Sequence, residues 1–335
     1  MPHTQKRHRR SGPLRSADAG AARRAGSIAV ITAAALWGLG GTLAGELFER
    51  GADPLEVVAV RTWVALLGLG ALALRRRAPI PARQVPWRLV IGFGLSVSVA
   101  NAALFLAIER LPVAVALVLQ SLAPAFVIVG ALVLTGRVPS PRVLAWLIAA
   151  LAGVALVVEL PTAPLGDIDL PGVAFGLLTA VGVAAFSVLG GRAAQSGGAL
   201  AANIWGFAVA GGVWLVIQTF RGLPALFDQP WLLAGAVLIS VFGTLVPFLL
   251  YTWGTARVGA QAGAVSMSLE PMFGAGLAWL WLGQALAWLQ WAGTAVLVVA
   301  VVFLQRPEHP PPAGPPSAGS RVRGDDTQHR LTSHD

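Results

Sequence analysis

Apolar runs of about twenty residues, the length a helix needs to cross a bilayer core, recur along this 335-residue chain with only short polar breaks between them. They fall at residues 27–47, 56–74, 89–108, 113–135, 142–160, 172–191, 200–220, 231–254, 260–282 and 286–305. Inside hydrocarbon every backbone N–H and C=O needs an internal partner, which helices supply within one segment. The pattern predicts an all-α polytopic membrane protein with ten transmembrane helices. Composition agrees: 56% of residues are hydrophobic and only 12% are charged, where a soluble domain carries about a quarter charged. Breaks such as Arg75-Arg76-Arg77-Ala78-Pro79 and the stretch from Pro161 to Pro171 separate the runs. Trp87, Trp146, Trp231 and Trp288 stand near expected ends, as interfacial aromatics do.

The net charge of +9 follows the positive-inside rule rather than a nucleic-acid patch. Of twenty-four Lys and Arg, twenty fall in segments that share a side if the N-terminus is cytoplasmic. Arg50, Arg110 and Arg221 fall on the other side, with Asp53, Glu109, Asp167, Asp169 and Asp228, and Arg61 lies inside a span. Both termini are expected in the cytoplasm, and the protein in the inner or plasma membrane. Residues 1–25 read as a disordered basic tail and 306–335 as a disordered Pro-rich tail. The first apolar run is too long for a signal-peptide core and lacks a clean A-x-A cleavage pattern, so a retained first helix is expected.

Several chemistries lack their residues. Cysteine is absent, and all five histidines (His3, His8, His309, His329, His334) lie in the tails. The apolar body therefore offers no thiolate or imidazole for a metal, a nucleophile or a proton relay, and no metal or cofactor is expected. There is no GxxxxGK[ST] loop, no G-x-S-x-G elbow and no H-E-x-x-H pair. Neither an ATPase nor an enzyme is expected.

A shift of 147 residues aligns Leu111–Phe126 (LPVAVALVLQSLAPAF) with Val258–Phe273 (VGAQAGAVSMSLEPMF). Val118/Val265, Ser121/Ser268, Leu122/Leu269, Pro124/Pro271 and Phe126/Phe273 are identical, and Gly136 then meets Gly283. The same shift pairs the fourth span with the ninth and the fifth with the tenth. Five spans per half would turn the second half upside down, the inverted repeat on which many transporters build a midplane site. The expected units are 26–160 and 172–305, joined by an outer linker at 161–171.

Ala35-Leu36-Trp37-Gly38, Arg61 following Leu55-Glu56, Leu111-Pro112-Val113-Ala114, the Leu-x-Pro-x-Phe core at Leu122–Phe126, and Leu269-Glu270-Pro271 together resemble the EamA-type drug/metabolite transporters over about residues 27–305. The resemblance implies two EamA-like five-helix repeats and an exporter or importer of small metabolites, often amino acids or drugs. The family usually has Gly-Glu after the fourth and ninth spans; here Gly136-Arg137 and Gly283-Gln284 stand there, so any role of those carboxylates is absent. The expectation is a secondary transporter, first of all an exporter, with a small-molecule substrate and the lipid bilayer as partners, a homodimer left open and nucleic acid excluded. The alternative is a non-transporting membrane sensor or assembly partner.

Glu270 is the sharpest single feature, because an acid at mid-span costs on the order of 3 kcal/mol on insertion scales. It reads either as a coupling or substrate-amine site or as a structural carboxyl tied to a neighbour, with Asn101, Tyr251 or Arg61 as partner. Pro124 and Pro271 break the spans at equivalent places and free the carbonyls of Gln120 and Met267 beside Ser121 and Ser268. Pro247 frees that of Gly243 without a counterpart at the repeat shift. Arg61 binds a carboxylate, pairs with Glu46 or snorkels outward. Asn101, Gln120, Tyr251 and Trp37 are candidate cavity liners or seam residues. Gly38, Gly40 and Gly41 are expected to permit close packing.

Overall fold

The computed structural model describes residues 16–77, 86–136, 138–162, 164, 166–258, 263 and 266–305. Among these residues the chain is helical throughout, with turns and no strand. The helices are α1 (Ser16–Glu49), α2 (Pro54–Arg76), α3 (Trp87–Arg110), α4 (Val113–Gln120), α5 (Ala123–Thr135), α6 (Pro141–Val157) and α7 (Leu170–Gly197). They continue with α8 (Ala199–Arg221), α9 (Pro230–Ser240), a π-helical turn at Val241–Leu245, α10 (Val246–Val258), α11 (Glu270–Leu282) and α12 (Trp288–Leu304). Among the described residues, seven helical stretches are long and apolar enough to cross a membrane: 20–49, 54–76, 87–110, 113–135, 170–196, 199–221 and 230–258. Helices α6 and α12 are apolar but only 17 residues each. Much of 260–269, the first part of the expected ninth span, lies outside the described residues, as do 1–15 and 306–335.

Helix α1 begins at Ser16, well before the first apolar run, because Ala17, Ala19, Ala21, Ala22 and Ala25 are strong helix formers. The other ends follow local chemistry. Asp53 caps α2, its carboxylate accepting from the amides of Leu55 and Glu56 at 2.9 and 3.1 Å, with Pro54 opening the helix. Asp169 likewise accepts from Gly172 N at 2.7 Å at the start of α7. Gly136 and Gly283, equivalent under the 147-residue shift, close α5 and α11 with φ of +67° at both.

Packing brings α3 along α7, the α9–α10 stretch along α1, α6 along α12, α2 along α8 and α4 against α11. One apolar cluster occupies the end of the bundle where α1 and α3 finish, around Val57, Phe105, Val113, Leu117, Trp214, Leu226 and Ile239. Another lies between α4, α6 and α12, around Val118, Leu119, Ala150, Leu297 and Val301. The three arginines expected on one side each meet an acid: Arg50 with Glu46, Arg110 with Asp169 at 3.5 Å, and Arg221 with Asp53 at 2.7 Å. Trp87, Trp231 and Trp288 are exposed, whereas Trp146 stacks on Phe303 with centroids 4.2 Å apart.

Helices α6 and α12 cross backbone to backbone. A Cβ added at Gly293 would lie 2.7 Å from both Gly153 O and Val157 N. Gly293→Val is therefore expected to destabilise the protein by about 1–3 kcal/mol, the range for overpacking. A lowered melting temperature in detergent would register this, while Gly276→Ala, which has open space, should melt like the unsubstituted protein.

Candidate functional site

The chain breaks at equivalent positions in its two halves. Proline 124 lacks an N–H and cannot continue α4, so the span turns at Ser121 and Leu122 and resumes as α5 with Pro124 in its first turn. The second half repeats this: Ser268 and Leu269 form a turn, and α11 starts at Glu270 with Pro271 next. Ser121 and Leu122 keep right-handed helical dihedrals (φ −68° at both), so the interruption is one turn long within the stretch 113–135. The shift that aligns the prolines places Ala123 opposite Glu270, so the acid belongs to one half only.

The breaks open onto a cavity of about 620 Å³. All eight candidate site residues, Trp37, Arg61, Asn101, Gln120, Ser121, Tyr251, Ser268 and Glu270, border it, as do Pro124 and Pro271. Along α3 the cavity reaches from Phe93 to Phe105, about 18 Å at 1.5 Å per residue. It extends through Ser187, Asn203 and Gln305 toward the end of the bundle where α12 finishes.

Glu270 is 9% exposed. Its carboxylate accepts from Gln120 Nε2 at 3.2 Å, and it sits in the first turn of α11, where the helix dipole favours a negative charge. Gln120, rather than Asn101, Tyr251 or Arg61, is therefore its hydrogen-bond partner. Asn101 instead donates to Val97 O on its own helix at 2.9 Å. Ser121 donates to Val118 O at 2.6 Å, Ser268 is buried, and Trp37 meets Tyr251 edge to face with centroids 5.6 Å apart. Gly38 lets α1 approach the start of α11: an added Cβ would lie 2.7 Å from Gly274 N and 3.1 Å from Glu270 O.

Arg61 occupies another part of the wall. Glu46 does not pair with it, because Glu46 is one turn before Arg50 on the same helix and bonds there. The guanidinium of Arg61 donates through Nε to Thr244 Oγ1 and through Nη2 to Gly243 O at 3.3 Å, and lies 5.1 Å over the Phe105 ring. Pro247 explains the carbonyl acceptor: with no N–H there, α-helical bonding to Gly243 fails, and Val246 N–H bonds back to Val241 O in a π-turn. Pro247 marks Gly243 in the sequence, but nothing there marks Thr244. Arg61 and Glu270 lie on one cavity without an ion pair within 4 Å. The cavity so holds a cationic region and an acidic one, lined by aromatic and apolar groups.

Gln284 also has a role that the missing carboxylate did not suggest: its Oε1 accepts from Val113 N at 3.1 Å, at the start of α4.

The sequence model of the EamA-like transporter family matches residues 24–159 and again 170–306. An "uncharacterized inner membrane transporter YicL" of Salmonella typhimurium is 24% identical, covering 84% of this chain and 95% of its own. An "uncharacterized transporter" of Archaeoglobus fulgidus is also 24% identical, over 84% of this chain and 97% of its own. A solved crystal structure superposes with a TM-score of 0.58 at 18% identity, covering 84% of this chain and 97% of its own, a likeness of fold.

Thr244→Val keeps the side chain's shape but leaves Arg61 Nε without its acceptor. The expected loss is about 1.5–3 kcal/mol, the range for a hydrogen bond to a charged group, read as a lower melting temperature. Thr244→Ser should restore most of it.

Proposed function

The chain belongs to the EamA-like transporter family and is a membrane transporter, and on that premise we propose that it is a secondary transporter of a small organic metabolite, such as an amino acid or a drug-like solute. It works by alternating access around the central cavity, as an exporter. The observation that carries this reading is the convergence of eight polar and aromatic side chains on one cavity where two spans break at equivalent prolines. A buried acid is expensive in a membrane, and Glu270 would be lost without cost to folding if it had no task. Its role is coupling, by proton exchange, or engagement of the solute's amine, with Gln120 orienting it. Arg61, fixed by neutral acceptors rather than an acid, retains its charge for an acidic group of the solute. Trp37, Tyr251, Asn101, Ser121 and Ser268 supply the remaining contacts.

The reading includes ten spans in two inverted repeats, 26–160 and 172–305, with both termini cytoplasmic. Exchanging spans by the 147-residue shift converts the α3–α7 contact into that of the α9–α10 stretch with α1, and returns α6–α12, α2–α8 and α4–α11 each to itself. That exchange is what an inverted twofold repeat requires. With the termini inside, the cavity faces the cytoplasm and loads from there, in keeping with export through the inner or plasma membrane.

Two measurements test the proposal. In proteoliposomes Glu270→Gln, which keeps shape and most hydrogen bonding but cannot titrate, should fold normally yet abolish solute flux or remove its pH dependence. If Gln leaves both unchanged while Glu270→Ala lowers yield or melting temperature, the acid is structural. For topology, single cysteines at Pro164 and Ala194 should react with impermeant reagents from outside and inside respectively; the reverse pattern would remove the inverted repeat.

A further inference from the structure

A second, smaller cavity of about 330 Å³ lies at the opposite end of the bundle from Gln305, bordered by Gly45, Phe48 and Glu49 of α1, the end of α3 from Ile108, Pro112 and Gln284. It follows two of the helices that line the central cavity, one turn further on: Gly41 and Leu104 border the central cavity, Gly45 and Ile108 the smaller one. What separates the two is one apolar layer. Phe105, on the central cavity, meets Phe48, on the smaller one, edge to face with centroids 5.5 Å apart. Ala44, Ile108, Val113 and Leu117 complete the layer, all buried and all apolar. Its closeness comes from small residues on α1: a Cβ added at Gly45 would lie 2.9 Å from Val113 Cγ2.

Gln284 sits at the rim of this layer, on a cavity that Glu49, Glu109 and Arg110 also border. Helix α4 starts after Pro112, which has no side chain to cap it, so its first amides lack the partner a Ser or Asp would give. Gln284 supplies that partner from the end of α11, through its Oε1 bond to Val113 N at 3.1 Å, and the left-handed turn at Gly283 precedes it. Its Nε2 reaches Glu49 Oε1 at 3.5 Å. A single amide thereby joins the ends of α1, α4 and α11 at the place where the layer closes. Joining three separate helices at one rim is what a latch must do, whereas a local cap would bind only its own helix.

We propose that the smaller cavity is the far mouth of the transport path, that the layer of Phe48, Phe105, Val113 and Leu117 is its gate, and that Gln284 is the latch that keeps the gate shut. The inference rests on the alternating-access reading, but its test reads accessibility rather than flux, so the two fail separately.

The chain contains no cysteine, so Ser121→Cys gives one thiol on the wall of the central cavity. Vesicles of both orientations would be treated with an impermeant methanethiosulfonate. With Gln284 intact the thiol should react mainly from one face, with a slow rate from the second as the transporter cycles. Adding Gln284→Leu should raise the rate from the second face at least fivefold, with little change at the first. Gln284→Glu, which keeps an oxygen for Val113 N, should stay one-sided. Labelling that stays one-sided in the Leu variant, rises equally from both faces, or appears as strongly in the Glu variant would overturn the latch. If the Leu variant does not fold, Phe48→Ala, which thins the gate itself, decides: second-face labelling supports the gate, and one-sided labelling overturns it.

Discussion

A backbone carbonyl released inside an apolar helix bundle must find a donor, and three prolines in this chain release one each. The consequences differ with what stands nearby. At Pro247 the helix absorbs the defect as a π-turn and Arg61 reaches across from α2 to the freed Gly243 oxygen. At Pro124 and Pro271 the helices stop and restart through a two-residue turn. Irregular backbone at such a depth is tolerated where it is buried in protein or lines a polar cavity, and these breaks line the central one. Ser121, Ser268, Gln120 and Glu270 reach the cavity wall together because they flank these two breaks.

The charged groups obey the same economy. A half-buried guanidinium and a buried carboxylate on one cavity would be expected to combine, yet each here has its own neutral partner, Thr244 with Gly243 for Arg61 and Gln120 for Glu270. Hydrogen bonds to neutral partners hold both groups in place. A mutual ion pair would tie α2 to α11 and leave little field for a solute.

Much of this was legible in the residues. The apolar runs, the paired Ser-Leu-x-Pro segments and the mid-span acid led to the breaks and to the cavity wall, because each rests on local chemistry that tertiary packing does not override. Partners were harder. Arg61 looked able to reach Glu46, but helical spacing sets Glu46 one turn from Arg50, and the nearer contact prevailed. Glu270 was offered three partners and took Gln120, whose importance appears only once the two broken spans face each other. Thr244 carried no signal and Gln284 stood out only as a departure from the family pattern, since one serves a bond across 183 residues and the other caps a helix 171 residues earlier. The start of α1 moved into the basic tail because alanine propensity continues where hydrophobicity stops.

The central claim is that this cavity carries a solute across the membrane. Counterflow into proteoliposomes preloaded with a complex metabolite mixture tests it most directly, with labelled mixture outside and protein-free liposomes as reference. The account predicts that at least one small organic solute exchanges only when the protein is present. Folded, correctly inserted protein that exchanges no solute from such mixtures would contradict it.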